Sequence, residues 1–442
     1  MKYNPHDYQK YAEQFVLDHP FCVLLLDLGL GKTAITATSL YELVLDRFEI
    51  GRVLIIGPKR VIETSWSQEL KKWDHLQGLT FSVVAGSAAE RRKALAKPAF
   101  IYLVSRDNVS WLIENGYFNF DCCVIDELSS FKSTKAKRFQ NLKKVRGSCK
   151  RIIGLTGTPG DPMDLWAQIY LLDGGKRLEH FITAYRNKYF VPDKRNRDVI
   201  FSYKPKEGAE DAIYQKISDI AISMKSAEYL KMPELIESNI VVEMSPEEKK
   251  LYEQLKKDLI LELKDGDIDA KSAVGLSGKL QQMASGSVYD ENGKVHRIHS
   301  HKMDAIEDQI EAACGKPILI VYYFKFEKEE LERRFGARPL DTPEDIEAWN
   351  QRKIPVGILH SNSGFGLNLQ DGGCHMIWTG PVWSLQNTQQ TNHRLYRQGQ
   401  KYPVTIQYVI TKDTIDENII EALKKKDCTQ EAILSAVRAR LQ

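Results

Sequence analysis

Gly29-Leu30-Gly31-Lys32-Thr33 follows the apolar run FCVLLLDLG and opens the helix-forming stretch AITATSL. Glycines let backbone N–H groups approach phosphate oxygens, and the first turn of a helix adds partial positive charge. Lys32 is then placed to neutralise β- and γ-phosphates, and the Thr33 hydroxyl to ligate Mg²⁺. Leu26 stands where the general phosphate-loop pattern has its first glycine, so the assignment rests on the strand–loop–helix context. A second constellation, Asp126-Glu127, ends the apolar run CCVI. Asp126 suits Mg²⁺ and Glu127 suits polarising an attacking water. An Asp-Glu pair after a strand is common by itself. Joined to a Gly-Lys-Thr loop on an earlier strand, it points to hydrolysis of ATP with Mg²⁺ as cofactor.

These residues need strands to carry them. FCVLLLDLG, RVLIIGP, AFIYLVS, CCVIDE and RIIGLTG read as buried strands followed by turn residues. Helical patterns such as ETSWSQELKKW and LWAQIYLL fall between them, which implies parallel pairing by right-handed crossovers. The pattern becomes irregular from about Gly174 to Leu230. It resumes with IVVEM, then PILIVYYF, IPVGILHS, CHMIWTG and VTIQYVIT. Ser245 before Pro246, Glu247 and Glu248 is a helix start: a capping hydroxyl, proline in the first turn, acids at the positive end. The expectation is an α/β chain of two lobes, 1–230 and 231–442, with a partly helical connection and a helical insertion at about 245–315.

With 43% apolar and 27% charged residues the chain can bury substantial cores and does not read as disordered. A net charge of +3 does not announce a nucleic-acid binder, so such a role must rest on where the cations sit. The seven cysteines form no C-x-x-C pair, which fits a reduced compartment. The N-terminus has no apolar signal core, and no run reaches the length of a membrane span. A cytoplasmic protein, of a bacterium or a phage-infected cell, is expected. His296, His299 and His301 lack the matching cysteines or acids of a metal site. Trp66, Trp73, Trp166 and Trp383 read first as packing.

The order of further signals resembles the Swi/Snf-type motors of helicase superfamily two. DLGLGKT resembles their DEMGLGKT. VLIIGPKRVIETSWSQELKKW resembles their second motif at Pro58, Trp66, Glu69 and Trp73, and DELSSFKSTKAKRF their acid box with its trailing basic loop. GLTGTPGDPMDLW resembles the third motif at Thr156–Pro159. SNSGFGLNLQ resembles the fifth, at Gly364, Gly366, Leu367, Asn368 and Leu369, and QQTNHRLYRQGQKYPVTIQYVITKDTIDENI the sixth. The resemblance implies two RecA-like lobes with ATP between them. Gln9 would contact adenine, Gly366 and Asn368 would help hold the nucleotide, and Arg394 and Arg397 would reach its phosphates. Ser129 stands where the family usually has histidine, Leu128 where it has alanine or glycine, and Tyr396 where it has histidine.

A motor of this kind holds DNA through phosphates, independent of sequence. Lys59 and Arg60 after the second strand, Lys132 and Lys135 after the acid box, and Ser361 are the candidate contacts, with Ser105, Arg106, Asn362 and Ser363 beside them. Double-stranded DNA is the expected partner, with replication or recombination proteins as further partners, and the chain is expected to act as a monomer. The leading expectation is translocation on duplex DNA that remodels protein–DNA complexes or junctions. Strand separation, or an ATP-gated DNA-loading subunit, are the alternatives.

Overall fold

A computed structural model describes residues 1–196, 199–265, 270–363 and 367–436. The chain divides into two compact units: Met1–Leu230 with Cys428–Gln442, and Lys231–Asp427.

In the first unit, β1 (Phe21–Leu26), β2 (Val53–Gly57), β3 (Phe81–Val84), β4 (Ile101–Ser105), β5 (Cys122–Asp126) and β6 (Arg151–Leu155) come in succession. An antiparallel hairpin follows, β7 (Phe190–Asn196) and β8 (Val199–Pro205), and then β9 (Ala221–Met224). The hairpin stands apart; the other seven strands form one parallel sheet in the order β3-β4-β2-β5-β6-β1-β9. Their apolar runs are continuous because both faces are buried. Val23, Leu25, Leu54, Ile56 and Ile125 enter one core with Trp166 and Tyr170. Their neighbours Leu24, Leu26, Ile55 and Val124 enter the other, with Tyr8, Ala12 and Trp66. This is the period-2 alternation of a strand divided between two layers of helix.

The stretch from Gly174 to Leu230, expected to be irregular, instead holds the helices Ile182–Tyr189 and Ala209–Ile217, the hairpin, and β9, which extends the sheet beside β1. β3 and β9 have only four residues each, FSVV and AISM, too short for periodicity to declare them.

In the second unit β10 (Leu235–Val242) leads to the helices Pro246–Asp265 and Ala270–Ala284 and a small antiparallel hairpin, β11 (Ser287–Tyr289) with β12 (Val295–Arg297). The helix His301–Ala312 then precedes β13 (Ile318–Tyr322), β14 (Arg338–Pro339), β15 (Val356–His360), β16 (His375–Trp378) and β17 (Val404–Thr411). The parallel order is β10-β17-β16-β13-β15-β14. Its residues are again divided: Leu319, Val321 and Trp378 on one face, Ile318, Ile320 and Ile377 on the other. The expected helix start is a reciprocal cap: the Glu248 N–H donates to Ser245 Oγ at 3.3 Å, and the Ser245 N–H to Glu248 Oε2 at 2.7 Å. The end of the chain was expected with the second lobe. Leu434 on the last helix, Ile415–Ala436, instead joins a first-unit core, and the Ser223 hydroxyl donates to its carbonyl.

His296 lies 2.9 Å from Asp290, His299 is buried 3.1 Å from the Met283 carbonyl, and His301 lies 2.8 Å from Glu248. No group of three metal-ligating side chains occurs among the described residues. None of the described helices is long and apolar enough to cross a membrane.

Lys302 and Asp416 form an ion pair inside the second unit. Nζ donates to Oδ2 at 2.6 Å, and the side chains are 2% and 1% exposed. The same Oδ2 accepts the Thr411 N–H at 3.0 Å, so the pair ties β17 to the helix His301–Ala312. Removing one partner leaves a buried charge uncompensated. Lys302→Met is therefore expected to destabilise the unit by about 3–5 kcal/mol, and Lys302→Met with Asp416→Asn to recover at least half of that. Chemical denaturation of the two variants checks both values.

Candidate active site

The sequence Asp27–Gly31 cannot continue β1 or begin a helix without left-handed backbone, and Gly29 and Gly31 supply it at φ +93° and +80°. A Cβ on Gly29 would meet nothing within 4 Å, so the loop leaves open space above its backbone. The helix Lys32–Tyr41 starts directly after Gly31 with no side chain capping it, which leaves its first N–H groups for a ligand. Lys32 Nζ donates to the carbonyls of Leu26 at 2.6 Å and Asp27 at 3.2 Å. Thr33 sits half-buried in the first helical turn. Gln9 is brought to the same loop: its Nε2 lies 2.7 Å from where a Gly31 Cβ would stand, while its Oε1 accepts the His6 N–H at 2.9 Å. Asp27 anchors the loop from below, since its Oδ2 accepts from the Ser226 N–H at 2.9 Å and its own N–H donates to Met224 O at 3.1 Å.

Asp126 ends β5, two strands from β1 in the sheet, and is 7% exposed. Burial holds its carboxyl above the usual carboxylate range. The Trp66 donor, the Lys32 charge and the Glu127 N–H oppose that rise. Trp66 Nε1 donates to Asp126 Oδ2 at 2.8 Å from a fully buried indole, and the Glu127 N–H donates to Oδ1 at 3.0 Å. Glu127 itself adopts φ +55°, a left-handed conformation that costs a non-glycine residue about 1 kcal/mol or more. Beyond it, the Thr156 hydroxyl donates to Ser129 Oγ at 3.3 Å and accepts the Thr158 N–H at 3.1 Å. The acid box after β5 is thus joined to the loop after β6. Thr158 Oγ1 is buried with no partner. Open space over Gly29, uncapped helix N–H groups, an amine resting on carbonyl oxygens and an orphaned hydroxyl fit a bound triphosphate with its metal ion.

Trp66 carries more than packing, and spacing alone had not shown it. The signal was topological: the helix after β2 lies beside the end of β5 because the two strands are neighbours. Trp73, in contrast, donates to Glu69 Oε2 at 2.6 Å on its own helical segment.

In the second unit Arg394 is buried, with Nε donating to Gln390 O at 2.8 Å and a terminal nitrogen to Leu367 O at 3.0 Å. Arg397 donates to Asn368 Oδ1, so the structure brings two of the expected site residues together. Burial pushes the Arg397 guanidinium down, with Asp371 opposing. Gly366 lies outside the described residues.

Lys59 and Arg60 open the helical segment after β2, and the Arg106 N–H after β4 donates to Gly57 O at 2.8 Å, so the segments that follow these two strands are adjacent. Lys59 and Lys135 are exposed and make no ion pair among the described residues. Lys132 is engaged, with Nζ 3.0 Å from Asp164 Oδ2. Burial pushes the Arg138 guanidinium down, with the like charge of Arg106 adding to it and Asp107 opposing. Ser361 corrects the expectation. The residue is 1% exposed and its hydroxyl points inward with no partner, while its neighbour Asn362 is exposed.

Two parallel α/β units, the first carrying a phosphate loop and an acid box on the same sheet edge, define an ATPase of the helicase-like motor class. The chain matches the SNF2-related domain over residues 17–286 and belongs to that family. It is 32% identical over 457 residues to a putative protein, p41, of Acyrthosiphon pisum secondary endosymbiont phage 1, with 99% of each chain covered. It is 23% identical to an uncharacterized ATP-dependent helicase of Mycoplasma genitalium, covering 96% of this chain and 41% of that one. Against the DNA repair and recombination protein RAD54-like of Gallus gallus it is 21% identical, covering 93% and 64%. The chain therefore spans the phage protein and less than two thirds of the other two. Among solved structures it is similar to the Sulfolobus solfataricus SWI2/SNF2 ATPase core in complex with dsDNA, with TM-score 0.47, 22% identity and coverage of 99% and 94%.

Trp66→Phe removes the donor that opposes the burial of Asp126, so the carboxyl rises further and stays protonated to higher pH. The acid limb of ATP turnover should therefore move to higher pH. A pH profile of the variant against the wild type measures the displacement.

Proposed function

We propose that the protein hydrolyses ATP to translocate on double-stranded DNA, remodelling protein–DNA complexes or junctions. The observation that carries this is the gathering of Lys32, Asp126, Glu127 and the Thr156–Thr158 turn on the strand ends β1, β5 and β6, with basic loops after β2, β4 and β5 on the same sheet edge. Lys32 and the N–H groups from Gly29 to Thr33 hold the β- and γ-phosphates, and Gln9 meets the base. Thr33 and Asp126 hold Mg²⁺, which supplies charge neutralisation at the transferred phosphoryl group. Glu127 orients the attacking water from a backbone held in the left-handed turn. Arg394 and Arg397 are the arginines that the family resemblance assigns to phosphate, and Asn368 orients the Arg397 guanidinium. A planar guanidinium matches the charge that develops on a transferring phosphoryl.

Lys59, Arg60, Lys132 and Lys135 contact DNA phosphates. Contacts to phosphate rather than to base edges suit a motor that must move regardless of sequence. The naming of a relative as a DNA repair and recombination protein is consistent with DNA as the partner.

Steady-state ATPase with no DNA, single-stranded DNA and double-stranded DNA tests the reading. Duplex is expected to stimulate most. Stimulation by single strands alone would replace translocation by strand separation, and none would replace it by an ATP-gated loading role. Glu127→Gln should lower turnover by about 10²–10⁴-fold while retaining ATP, and Lys32→Ala should lose turnover with ATP binding. Normal turnover in either variant would remove the assigned site.

A further inference from the structure

Beside the basic loop after β5, the first unit has a groove of about 310 Å³, at the small end of the ~300–1,000 Å³ typical of ligand sites. Its floor is the buried pair Phe139 and Trp166, and its walls carry Lys135, Lys143, His180 and Phe181. No carboxylate lines it. Phe181 is 64% exposed and packs edge-on against His180 at 4.9 Å, which leaves its ring faces open to a ligand. Lys143, which lines the groove, has its Nζ 4.5 Å above the Tyr170 ring and makes no ion pair among the described residues. Lys135 is exposed at the mouth, on the loop already assigned to DNA phosphates.

We propose that this groove binds single-stranded DNA next to the duplex, with an unstacked base on Phe181 and its phosphates on Lys135 and Lys143. The proposal rests on the DNA-motor reading and narrows its substrate to duplex with a single-stranded part, as at a gap, tail or fork. Three features select a nucleic-acid strand over a polypeptide. The lining is cationic with no acid to repel phosphate, an aromatic face stands ready for stacking, and the groove continues from a phosphate-contacting loop. A base on an aromatic side chain needs no sequence readout, since every base has a π-face.

Fluorescence anisotropy with the full chain compares a blunt duplex with the same duplex bearing a single-stranded tail on either strand. The tail should tighten wild-type binding about tenfold, the equivalent of one stacked base. Phe181→Ala should lose that gain and leave blunt-duplex affinity unchanged; because Phe181 is exposed, the variant is expected to fold. Phe181→Trp should keep the gain. Equal wild-type affinity for tailed and blunt duplex would overturn the proposal and leave the groove to a polypeptide. Equal weakening of both by Phe181→Ala would overturn it as well. Absence of binding to any DNA would overturn the motor reading and this one together, whereas blunt binding without a tail effect overturns the groove alone.

Discussion

Parallel strand pairing is the constraint on which the rest of this structure depends. Every strand of a parallel sheet ends on the same edge, and each crossover must return over a face, so the loops after the strands are gathered while the helices are displaced to the sides. In the first unit that edge holds the phosphate loop after β1, the acid box after β5 and the Thr156–Thr158 turn after β6, on three strands that adjoin in the sheet though widely separated in the chain. The basic loops after β2 and β4 follow outward along the same edge. Chemistry and track contact are therefore neighbours because hydrogen-bonded strands are neighbours.

Burial sharpens what that edge can do. Asp126 sits where desolvation favours the protonated acid, and Trp66, the Glu127 N–H and the Lys32 charge draw it back toward carboxylate. A group balanced in this way responds strongly when charge is added beside it. Glu127 is set by backbone instead, in a left-handed conformation that a strand-to-helix turn imposes. At Ser129 the family's usual histidine is absent, yet the hydroxyl still meets Thr156. In this chain a serine joins the acid box to the third motif.

Much of the fold was legible because buried strands of parallel sheets are long apolar runs, and those at β1, β2, β4, β5 and β6 are unbroken. β3 and β9 escaped because four residues carry too little pattern, and β9 lay within charge-rich sequence. Lys32, Asp126 and Glu127 stand out by type and context, whereas Trp66 was read as core and turned out to be both core and donor. A tryptophan has an apolar body and one N–H, and only the neighbour of that N–H tells the two uses apart. Ser361 failed in the opposite sense: a hydroxyl beside polar residues looks exposed in a string of letters, and here the chain turns it inward.

The amino-acid order by itself determined the alternation of strand and helix, the left-handed glycine loop ahead of a helix, and the acids that close β5, because these follow from local sterics and periodicity. It also determined family membership, through the number and order of its motifs. Which strands adjoin, which indole reaches Asp126, that Arg397 meets Asn368, and that Phe181 stays at the surface were decided only by tertiary structure. Those are contacts between residues far apart in the chain, and their free energy depends on burial and neighbours that no local pattern encodes.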